Sequence, residues 1–262
     1  MQISRTLKTL TVLACFVSMP LLALSQSGPG SLEVNVKNVK IDGKPAKLSR
    51  KRFYLIPGGL AENSALLTRI KGAEITSKSC YYKGIQASDQ YICWLQAENC
   101  ESPFCRVVDG RYLDATDKLA VPEFIAAYNK GLPLYKGNTT IARQWVLTNM
   151  PDALVNGYYR QQQKVLASVL AGLKPLQSSM TDTAGIRTTF LDIALPGTAG
   201  KSKYLISNVL PIEIGDKSYV WTCEKDVEAG KKAVLDISKA GKNCEVTIRD
   251  LKVCETTPCG EK

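Results

Sequence analysis

The sequence has no histidine among its 262 residues. Without an imidazole, the chain cannot form a Ser-His-Asp triad, a Cys-His pair or a metal site with a histidine ligand. It also lacks the Ser-x-x-Lys pair and the Gly-x-Ser-x-Gly elbow of serine hydrolases, and the glycine-rich loops that bind nucleotide phosphates. We therefore predict no catalytic residue of these classes, no cofactor and no metal site.

Carboxylates are the catalytic groups that this sequence still offers. Asp182-Thr183-Ala184-Gly185 resembles the Asp-Thr-Gly/Ala loop of aspartic proteases, which need two such loops to share a proton. The chain has one copy, so a linker turn is the favoured interpretation. Asp109, Asp114 and Asp117 miss the spacing of a calcium loop, and we expect them to solvate a loop and cap a helix. Two other carboxylates at a suitable distance would still allow glycan hydrolysis, which is the alternative function.

The N-terminus has the features of a signal peptide. A basic start precedes a mostly apolar run over residues 10–24, and the small residues Ala23 and Ser25 stand before a cut at Gln26. The run is shorter than the roughly 20 apolar residues of a membrane span. We predict that residues 1–25 are removed on export. The mature protein would then have no transmembrane span and would be secreted or periplasmic.

Nine cysteines are present, and Cys15 lies within the predicted signal peptide. A lipoprotein cut at Cys15 is disfavoured, because the apolar run continues beyond it. An even number of cysteines in an exported chain predicts a set of disulfides. The eight that remain are Cys80, Cys93, Cys100, Cys105, Cys223, Cys244, Cys254 and Cys259.

Each half of the chain carries four of these cysteines, and each group ends in a short loop that contains a proline. The proline favours a turn that brings the two sulfurs of the loop together. A zinc site made from the four thiolates of these two loops is the alternative, but zinc sites use tighter spacings such as Cys-x-x-Cys. The predicted pairs are therefore local: Cys80–Cys93, Cys100–Cys105, Cys223–Cys244 and Cys254–Cys259.

Basic residues outnumber acidic ones, 34 to 24. The densest basic cluster is Lys47, Arg50, Lys51 and Arg52. Its functional interpretation is a weak contact with an anionic envelope surface, and the favoured alternative is a solvated strand edge that discourages edge-to-edge pairing. Nucleic acid is not an expected partner, because the chain has no interleaved basic and aromatic motif.

Hydrophobic periodicity predicts strands at both ends of the chain and helices in the middle. Leu32, Val34 and Val36 alternate with polar residues, which is the period of a half-buried strand, whereas the apolar residues of 152–173 fall on one helical face. The predicted segments are the first strands (26–57), a disulfide-stapled, loop-rich segment (58–118), a helical segment (119–176) and C-terminal strands with the second cysteine group (186–262).

Short motifs at the two ends of the chain share a pattern. They are Val34 and Val36, Asp42–Pro45, Phe53, Phe190 and Ile193, Tyr219–Trp221, Val227–Lys231 and Val234–Ile237. Together they resemble carboxypeptidase-regulatory-like, prealbumin-type β-sandwich domains, over less than half of the chain. The resemblance implies that 32–57 and 186–253 form one sandwich and that the protein binds or scaffolds.

We therefore predict an α+β fold, mainly an antiparallel β-sandwich built from N- and C-terminal strands, with a disulfide-stapled helical insertion. Two separate β-rich modules that flank the helices are the alternative. The predicted function is that of an exported, non-catalytic binding or scaffold protein of the cell envelope or extracellular space. Its partner would be a protein or a polysaccharide.

Two aromatic residues are the candidate binding residues. Tyr219 and Trp221 share one face of a predicted strand with Cys223. An open face there would stack against sugar rings or contact a protein partner. The favoured alternative is that Trp221 packs in the core beside a disulfide.

Overall fold

The structure is a computed structural model, and it describes residues 28–41, 43–97, 103–105, 107–195, 200–239, 241 and 243–256. The predicted signal peptide, with its cut before Gln26, lies outside these ranges. Within them, strands from both ends of the chain form mainly antiparallel sheets, and helices occupy the segment between them. The predicted α+β fold class is confirmed.

The strands come first from the N-terminal part of the chain and then, after the helices, from the C-terminal part. They are β1 (Gly30–Asn35), β2 (Lys40–Ile41), β3 (Lys44–Pro45), β4 (Arg52–Pro57), β5 (Gln177–Met180), β6 (Arg187–Ile193), β7 (Lys201–Ser207), β8 (Ile212–Ile214), β9 (Lys217–Glu228), β10 (Lys232–Asp236) and β11 (Cys244–Asp250).

The helices lie between β4 and β5. They are α1 (Ser64–Gly72), α2 (Lys78–Gly84), α3 (Asp89–Ala97), α4 (Pro122–Leu134), α5 (Thr139–Gln144), α6 (Val146–Asn149) and α7 (Tyr158–Val169), with short 3₁₀ turns at Pro103–Cys105 and Gly110–Leu113 and a π-helical turn at Ala153–Gly157. Every helix of the described ranges is too short or too polar to cross a bilayer.

The sandwich has two principal sheets. The smaller has the order β10-β1-β6, with β1 parallel to β10 and antiparallel to β6. The larger has the order β11-β9-β7-β4-β5, with β8 also paired to β9, and its pairings are antiparallel. The N-terminal strands β1 and β4 therefore lie in different sheets, and each has C-terminal strands as its neighbours.

The core of the sandwich follows from the period-2 pattern. Leu32 and Val34 of β1 are fully buried between the sheets, in one cluster with Phe53 of β4 and Phe190 of β6. Full burial of a side chain of this size stabilises the fold by about 1.5–3 kcal/mol. Strands from the two ends of the chain share this core, as a single sandwich requires.

Two helices cover the outer face of the larger sheet. Leu66 and Ile70 of α1 and Val169 of α7 pack in one cluster with Ile56 of β4 and Val220 of β9. The larger sheet is therefore buried on both faces, and α1 and α7 join the β-sandwich to the rest of the helices.

The remaining helices form a second core that is rich in aromatic rings. Tyr82 and Tyr91 are buried, and both hydroxyls donate to the backbone carbonyl of Leu154, over 3.3 and 2.9 Å. Burial raises the pKa of both tyrosines above its ordinary value, so both side chains are neutral at physiological pH. Trp94 lies in the same core, with its ring centroid 4.9 Å from that of Phe124.

The segment 72–118 contains more helix than the sequence predicts, because α2 and α3 lie within it. Its apolar residues show little periodicity. In α2, the neighbouring rings of Tyr81 and Tyr82 both contact Tyr158. This short helix therefore lacks the alternation of an apolar and a polar face from which a helix is recognised in a sequence. Tertiary contacts specify such a helix more than its own pattern does.

One disulfide confirms a predicted pair. Cys223 of β9 and Cys244 of β11 lie opposite each other in neighbouring strands and are bonded, with their Cα atoms 3.9 Å apart. Cys93 is also disulfide-bonded. The predicted pair Cys100–Cys105 lies outside the side chains that the structure describes.

A second disulfide corrects two predicted pairs. Cys80 of α2 is bonded to Cys254, 174 residues away, so the pairs Cys80–Cys93 and Cys254–Cys259 are wrong. The sequence favoured partners that are close along the chain. In the fold, the segment after β11 returns to α2, where the Oγ of Ser79 accepts a hydrogen bond from the N–H of Cys254. This bond ties the helical insertion to the C-terminal segment.

Candidate functional site

Tyr219 and Trp221, the residues predicted for binding, face the core of the sandwich. They are 3% and 2% exposed, and their rings stack with centroids 6.0 Å apart. Trp221 packs in the same cluster as Cys223 and Cys244, because the smaller sheet covers this face of β9. The prediction of an open aromatic face is therefore wrong. The alternative, a tryptophan packed beside a disulfide, is confirmed.

The basic cluster of the sequence does not form one exposed patch. Lys51 is buried, whereas its neighbour Arg52 is exposed, because successive side chains of an extended chain point to opposite sides. Arg50 has a positive φ of 54°, which turns the chain just before β4. β4 lies between β7 and β5, so the predicted strand edge is also wrong at this point.

The acidic motifs of the sequence hold turns. The Oδ1 of Asp182 accepts a hydrogen bond from the N–H of Ile186, over 2.8 Å. Asp109, Asp114 and Asp117 each accept the backbone N–H two residues further along the chain. These contacts support the turn interpretation, and Asp109 caps the 3₁₀ turn at Gly110–Leu113. The expected cap of the next α-helix is not made, because α4 begins after Val121 without a side-chain cap. Within the described ranges, no group of three or more Cys, Asp or Glu side chains could hold a metal ion.

An open cleft of about 450 Å³ is the best candidate site, and the sequence analysis missed it. We call it the charged cleft. Alternating charges over residues 224–226, followed by two adjacent lysines, are the sequence signal that could have indicated it. The lining residues are Lys203 of β7, Glu224, Lys225, Asp226 and Glu228 of β9, Lys231, Lys232 and Ala233 at the start of β10, and Asn243 before β11.

The charged cleft exists because β9 and β10 run from their connecting turn into different sheets. Gly230 supplies a positive φ of 66° in this turn, and the N–H of Lys231 bonds to the carbonyl of Glu228. β9 then pairs with β7 in the larger sheet, whereas β10 pairs with β1 in the smaller one. Two strands that are consecutive in the sequence therefore border the cleft without pairing to each other.

No strand of the described ranges pairs with the edge of β10 that faces away from β1. Ile237 N–H bonds to the carbonyl of Asn35, so the odd-numbered residues of this strand pair with β1. The alternation of the ladder directs the N–H and C=O groups of Lys232 and Val234 to the other side. No residue of β1 lines the charged cleft, which places the cleft on that other side.

β9 also has a free edge, beyond the end of β11. β11 pairs with β9 from Lys217 to Cys223. The next residue, Glu224, donates its N–H to the carbonyl of Asn243 over 2.8 Å, so even-numbered residues of β9 point away from β7. The backbone groups of Asp226 therefore point toward the charged cleft.

Lysines and carboxylates alternate around the charged cleft. The hydrogen bond from Lys231 lowers the pKa of Glu228. The side chain of Lys225 has no ion-pair or hydrogen-bond partner in the part of the chain that the structure describes, so its ammonium group is available to a ligand in the cleft. The ion pairs are Lys203–Glu224 (3.3 Å), Lys201–Asp226 (3.2 Å), Lys231–Glu228 (2.7 Å) and, at the rim, Lys232–Glu33 (2.8 Å).

Glu224 is held on two sides, and a glycine makes this possible. Its Oε2 accepts the N–H of Leu60 over 2.9 Å, while the Nζ of Lys203 lies 3.3 Å from its Oε1. A Cβ atom on Gly59 would lie 2.5 Å from that Oε2 and 2.4 Å from the Cδ of Lys203. The absence of a side chain at Gly59 therefore allows the packing of one wall of the cleft.

We expect Gly59→Ala to displace the ends of both side chains and to lower the free energy of unfolding by about 0.5–1.5 kcal/mol, because the added methyl group disturbs the hydrogen bond from the Leu60 N–H to Glu224. Urea unfolding measures the change. Gly72 of α1 is the control, since a Cβ there meets no atom within 4 Å. Gly72→Ala should leave stability unchanged or raise it by up to about 1 kcal/mol. Equal losses from the two variants would contradict the packing argument.

Comparisons of this chain with protein families, with curated proteins and with solved structures gave no match. The resemblance to prealbumin-type domains therefore stays a prediction. The geometry of the charged cleft is the basis for a proposal on function.

Proposed function

We propose that this protein is an exported, non-catalytic binding protein whose charged cleft binds an extended segment of another polypeptide. The observation that supports this most directly is the pair of free strand edges, on β9 and on β10, that border the cleft. An extended peptide between them can exchange main-chain hydrogen bonds with the backbone of β10. This is the mode of recognition by β-strand addition.

The chemistry of the lining favours a polypeptide over a glycan. Carbohydrate sites rely on aromatic side chains that stack against sugar rings, and no aromatic residue is among the described residues that line the cleft. Both signs of charge alternate along it, which matches a peptide with mixed side chains better than a uniformly anionic polymer. The free ammonium group of Lys225 would pair with an acidic side chain of the ligand.

Export is supported by the cysteines and by the predicted signal peptide. Disulfides persist in oxidising compartments, so the Cys80–Cys254 and Cys223–Cys244 bonds fit a secreted or periplasmic protein. The Cys223–Cys244 bond also braces β9 next to Glu224 and Asn243, which line the cleft. A braced strand edge loses little conformational freedom when it binds a ligand, which favours affinity.

Glycan hydrolysis, the alternative function, gains three carboxylates in the cleft but no acid catalyst. Glu224, Asp226 and Glu228 line it, and each is paired with a lysine. A glycosidase needs one carboxyl group whose pKa is raised, so that it can donate a proton. The pKa of Glu228 is lowered instead. We therefore propose binding without catalysis.

The proposal is tested with peptides selected from a display library of random segments about ten residues long. The selected peptide, labelled and titrated by fluorescence anisotropy, should bind the unsubstituted protein. Val234→Pro should weaken binding by about tenfold or more, because it removes an N–H that faces the cleft while an edge strand tolerates proline there. Val234→Ala is the matched control, since it shortens the side chain and keeps the N–H.

A charge substitution in the cleft is the second test of peptide binding. Lys225→Glu should weaken binding of the same peptide in low salt and less so in high salt, because the interaction is between charges in an open cleft that salt can screen. A library that yields no peptide, or a peptide whose affinity is the same for Val234→Pro and Val234→Ala, would contradict the proposal.

A further inference from the structure

β11 is an edge strand of the larger sheet. It pairs in register with β9 over all seven of its residues, from Cys244 to Asp250. On its other side, no strand of the described part of the chain pairs with it. A regular strand with a free edge is a ready template for pairing with another strand.

The backbone groups on this free edge can be assigned from the ladder. The N–H and C=O of Cys244 bond to Gly241, outside the β9 ladder. Because the ladder alternates, Val246 and Ile248 also direct their N–H and C=O groups away from β9. No hydrogen bond of these outward groups occurs within the described ranges. Val246 is half-buried and Ile248 is 55% exposed, so an apolar strip accompanies the free groups.

When two copies of residues 245–249 run in opposite directions, each acidic residue lies opposite a basic one and each apolar residue lies opposite an apolar one. We infer that two copies of the protein associate by antiparallel pairing of their β11 strands about a two-fold axis at Thr247. In this register, Glu245 lies opposite Arg249 of the second copy, and Val246 lies opposite Ile248. The outward groups of Val246 and Ile248 then fall in hydrogen-bonded pairs, which exchange both of their bonds.

Side-chain chemistry favours this register. Glu245 and Arg249 lie on the helix-facing side of the sheet, where Lys71 of α1 contacts Glu245 over 2.8 Å. Pairing adds one opposite charge to each of these residues, and opposite charges across antiparallel strands are stabilising. The exposed side chain of Ile248 gains contact with Val246 of the second copy, which extends the sandwich core across the axis.

Thr247 gives a further argument for the position of the axis. Its Oγ1 is buried and has no hydrogen-bond partner within the described ranges. On the two-fold axis it faces its own copy in a non-hydrogen-bonded pair, where side chains approach most closely. A rotation about χ1 that brings this Oγ1 to the strand edge lets the two threonine hydroxyls hydrogen-bond to each other.

We assign this edge to a second copy, because the reversed order of the same five residues places an opposite charge at both Glu245 and Arg249. The free edge of β10 is less suited to pairing with a second copy of the protein. There the carboxylate of Asp236 already accepts hydrogen bonds from the N–H and the Oγ of Ser238. A dimer through β11 also leaves the charged cleft with its own free edges on β9 and β10.

Charge reversal tests the inference. Sedimentation velocity of the full exported chain, from about 10 µM to about 1 mM, should show a reversible monomer–dimer equilibrium, since an interface of this small size is weak. Glu245→Arg places arginine opposite arginine, and Arg249→Glu places glutamate opposite glutamate. Each single variant should weaken dimerisation by about 10- to 100-fold, because like charges directly opposite are destabilising.

An equimolar mixture of the two single variants is the decisive sample. Both cross-strand pairs are then of opposite sign, so the mixture should form a heterodimer with an affinity close to that of the unsubstituted protein. Circular dichroism confirms that each variant is folded. A mixture that stays monomeric overturns the inference, as does an unsubstituted protein that is monomeric at every concentration.

The backbone is tested separately. Ile248→Pro removes an N–H that faces outward and should abolish the dimer, whereas Ile248→Val keeps that N–H and should retain it. Val234→Pro in the charged cleft should leave the dimer unchanged, so failure of the proposed function and failure of this inference are distinguishable. If the peptide selected for the cleft instead protects residues 246–248 from hydrogen exchange, the edge binds foreign strands and the inference is overturned.

Discussion

Replacing Cys80 and Cys254 together by alanine is expected to lower the free energy of unfolding by about 5 kcal/mol. The bond joins residues 174 positions apart, so its loss releases a long loop in the unfolded chain. In the chain-entropy description, stabilisation grows with the logarithm of loop length. Urea unfolding of the oxidised double variant, with a count of free thiols to show that the other bonds are intact, measures the effect.

Removal of the Cys223–Cys244 bond is the matched comparison. Its sequence separation is 21 residues, so the double alanine variant should lose about 3 kcal/mol by the same rule. A smaller loss for the Cys80–Cys254 variant than for this one would show that the long-range bond does not restrain the unfolded chain.

The second large effect is expected at Trp221. Trp221→Ala should lower the free energy of unfolding by about 3–5 kcal/mol, because it leaves a cavity between the two sheets beside Tyr219 and the buried disulfide. Chemical denaturation, followed by circular dichroism at several urea concentrations, gives the value. A surface binding residue would lose affinity for a ligand on substitution and leave the unfolding transition where it was.

Trp145 is the control for that experiment. It follows α5 and is 49% exposed, so Trp145→Ala should change stability by only about 0.5 kcal/mol or less. Similar losses at Trp145 and Trp221 would contradict the assignment of one to the surface and the other to the core. The comparison decides directly between the two interpretations that the sequence left open for the aromatic strand.

Substitutions in the core and substitutions in the charged cleft should have different effects: the first lower stability, and the second lower affinity for the ligand. The charged cleft lies at the rim of the sandwich, and its walls are strand edges and ion pairs whose lysines are exposed. Such pairs contribute little to stability, so charge substitutions in the cleft should alter binding while the protein stays folded. Val234→Pro and Lys225→Glu are therefore expected to leave the unfolding transition close to that of the unsubstituted protein.

The sequence predicted correctly several features that depend on residues close together along the chain. The alternation at Leu32 and Val34 placed β1, which spans Gly30–Asn35. The pair Cys223–Cys244 was also predicted correctly. In each case the partners lie within a short span of chain, so spacing along the sequence constrains their distance in space.

The candidate site was not predicted, because it depends on which strands remain unpaired. The residues of 224–226 have the pattern of any solvated strand, and only the divergence of β9 and β10 into two sheets turns them into the wall of a cleft. The same holds for Tyr219 and Trp221. Period-2 alternation assigns them to one face of a strand, but the smaller sheet decides that this face is covered.

The sequence by itself determined which chemistry is open to this protein: without histidine, imidazole catalysis is impossible in any fold. It also determined the α+β class, since hydrophobic periodicity reflects which faces of strands and helices can be buried. Only the tertiary structure decided that Cys80 bonds to Cys254 and that β9, β10 and β11 have free edges. Disulfide partners and unpaired edges are properties of contacts between distant segments, and the spacing of residues along a chain does not constrain those contacts.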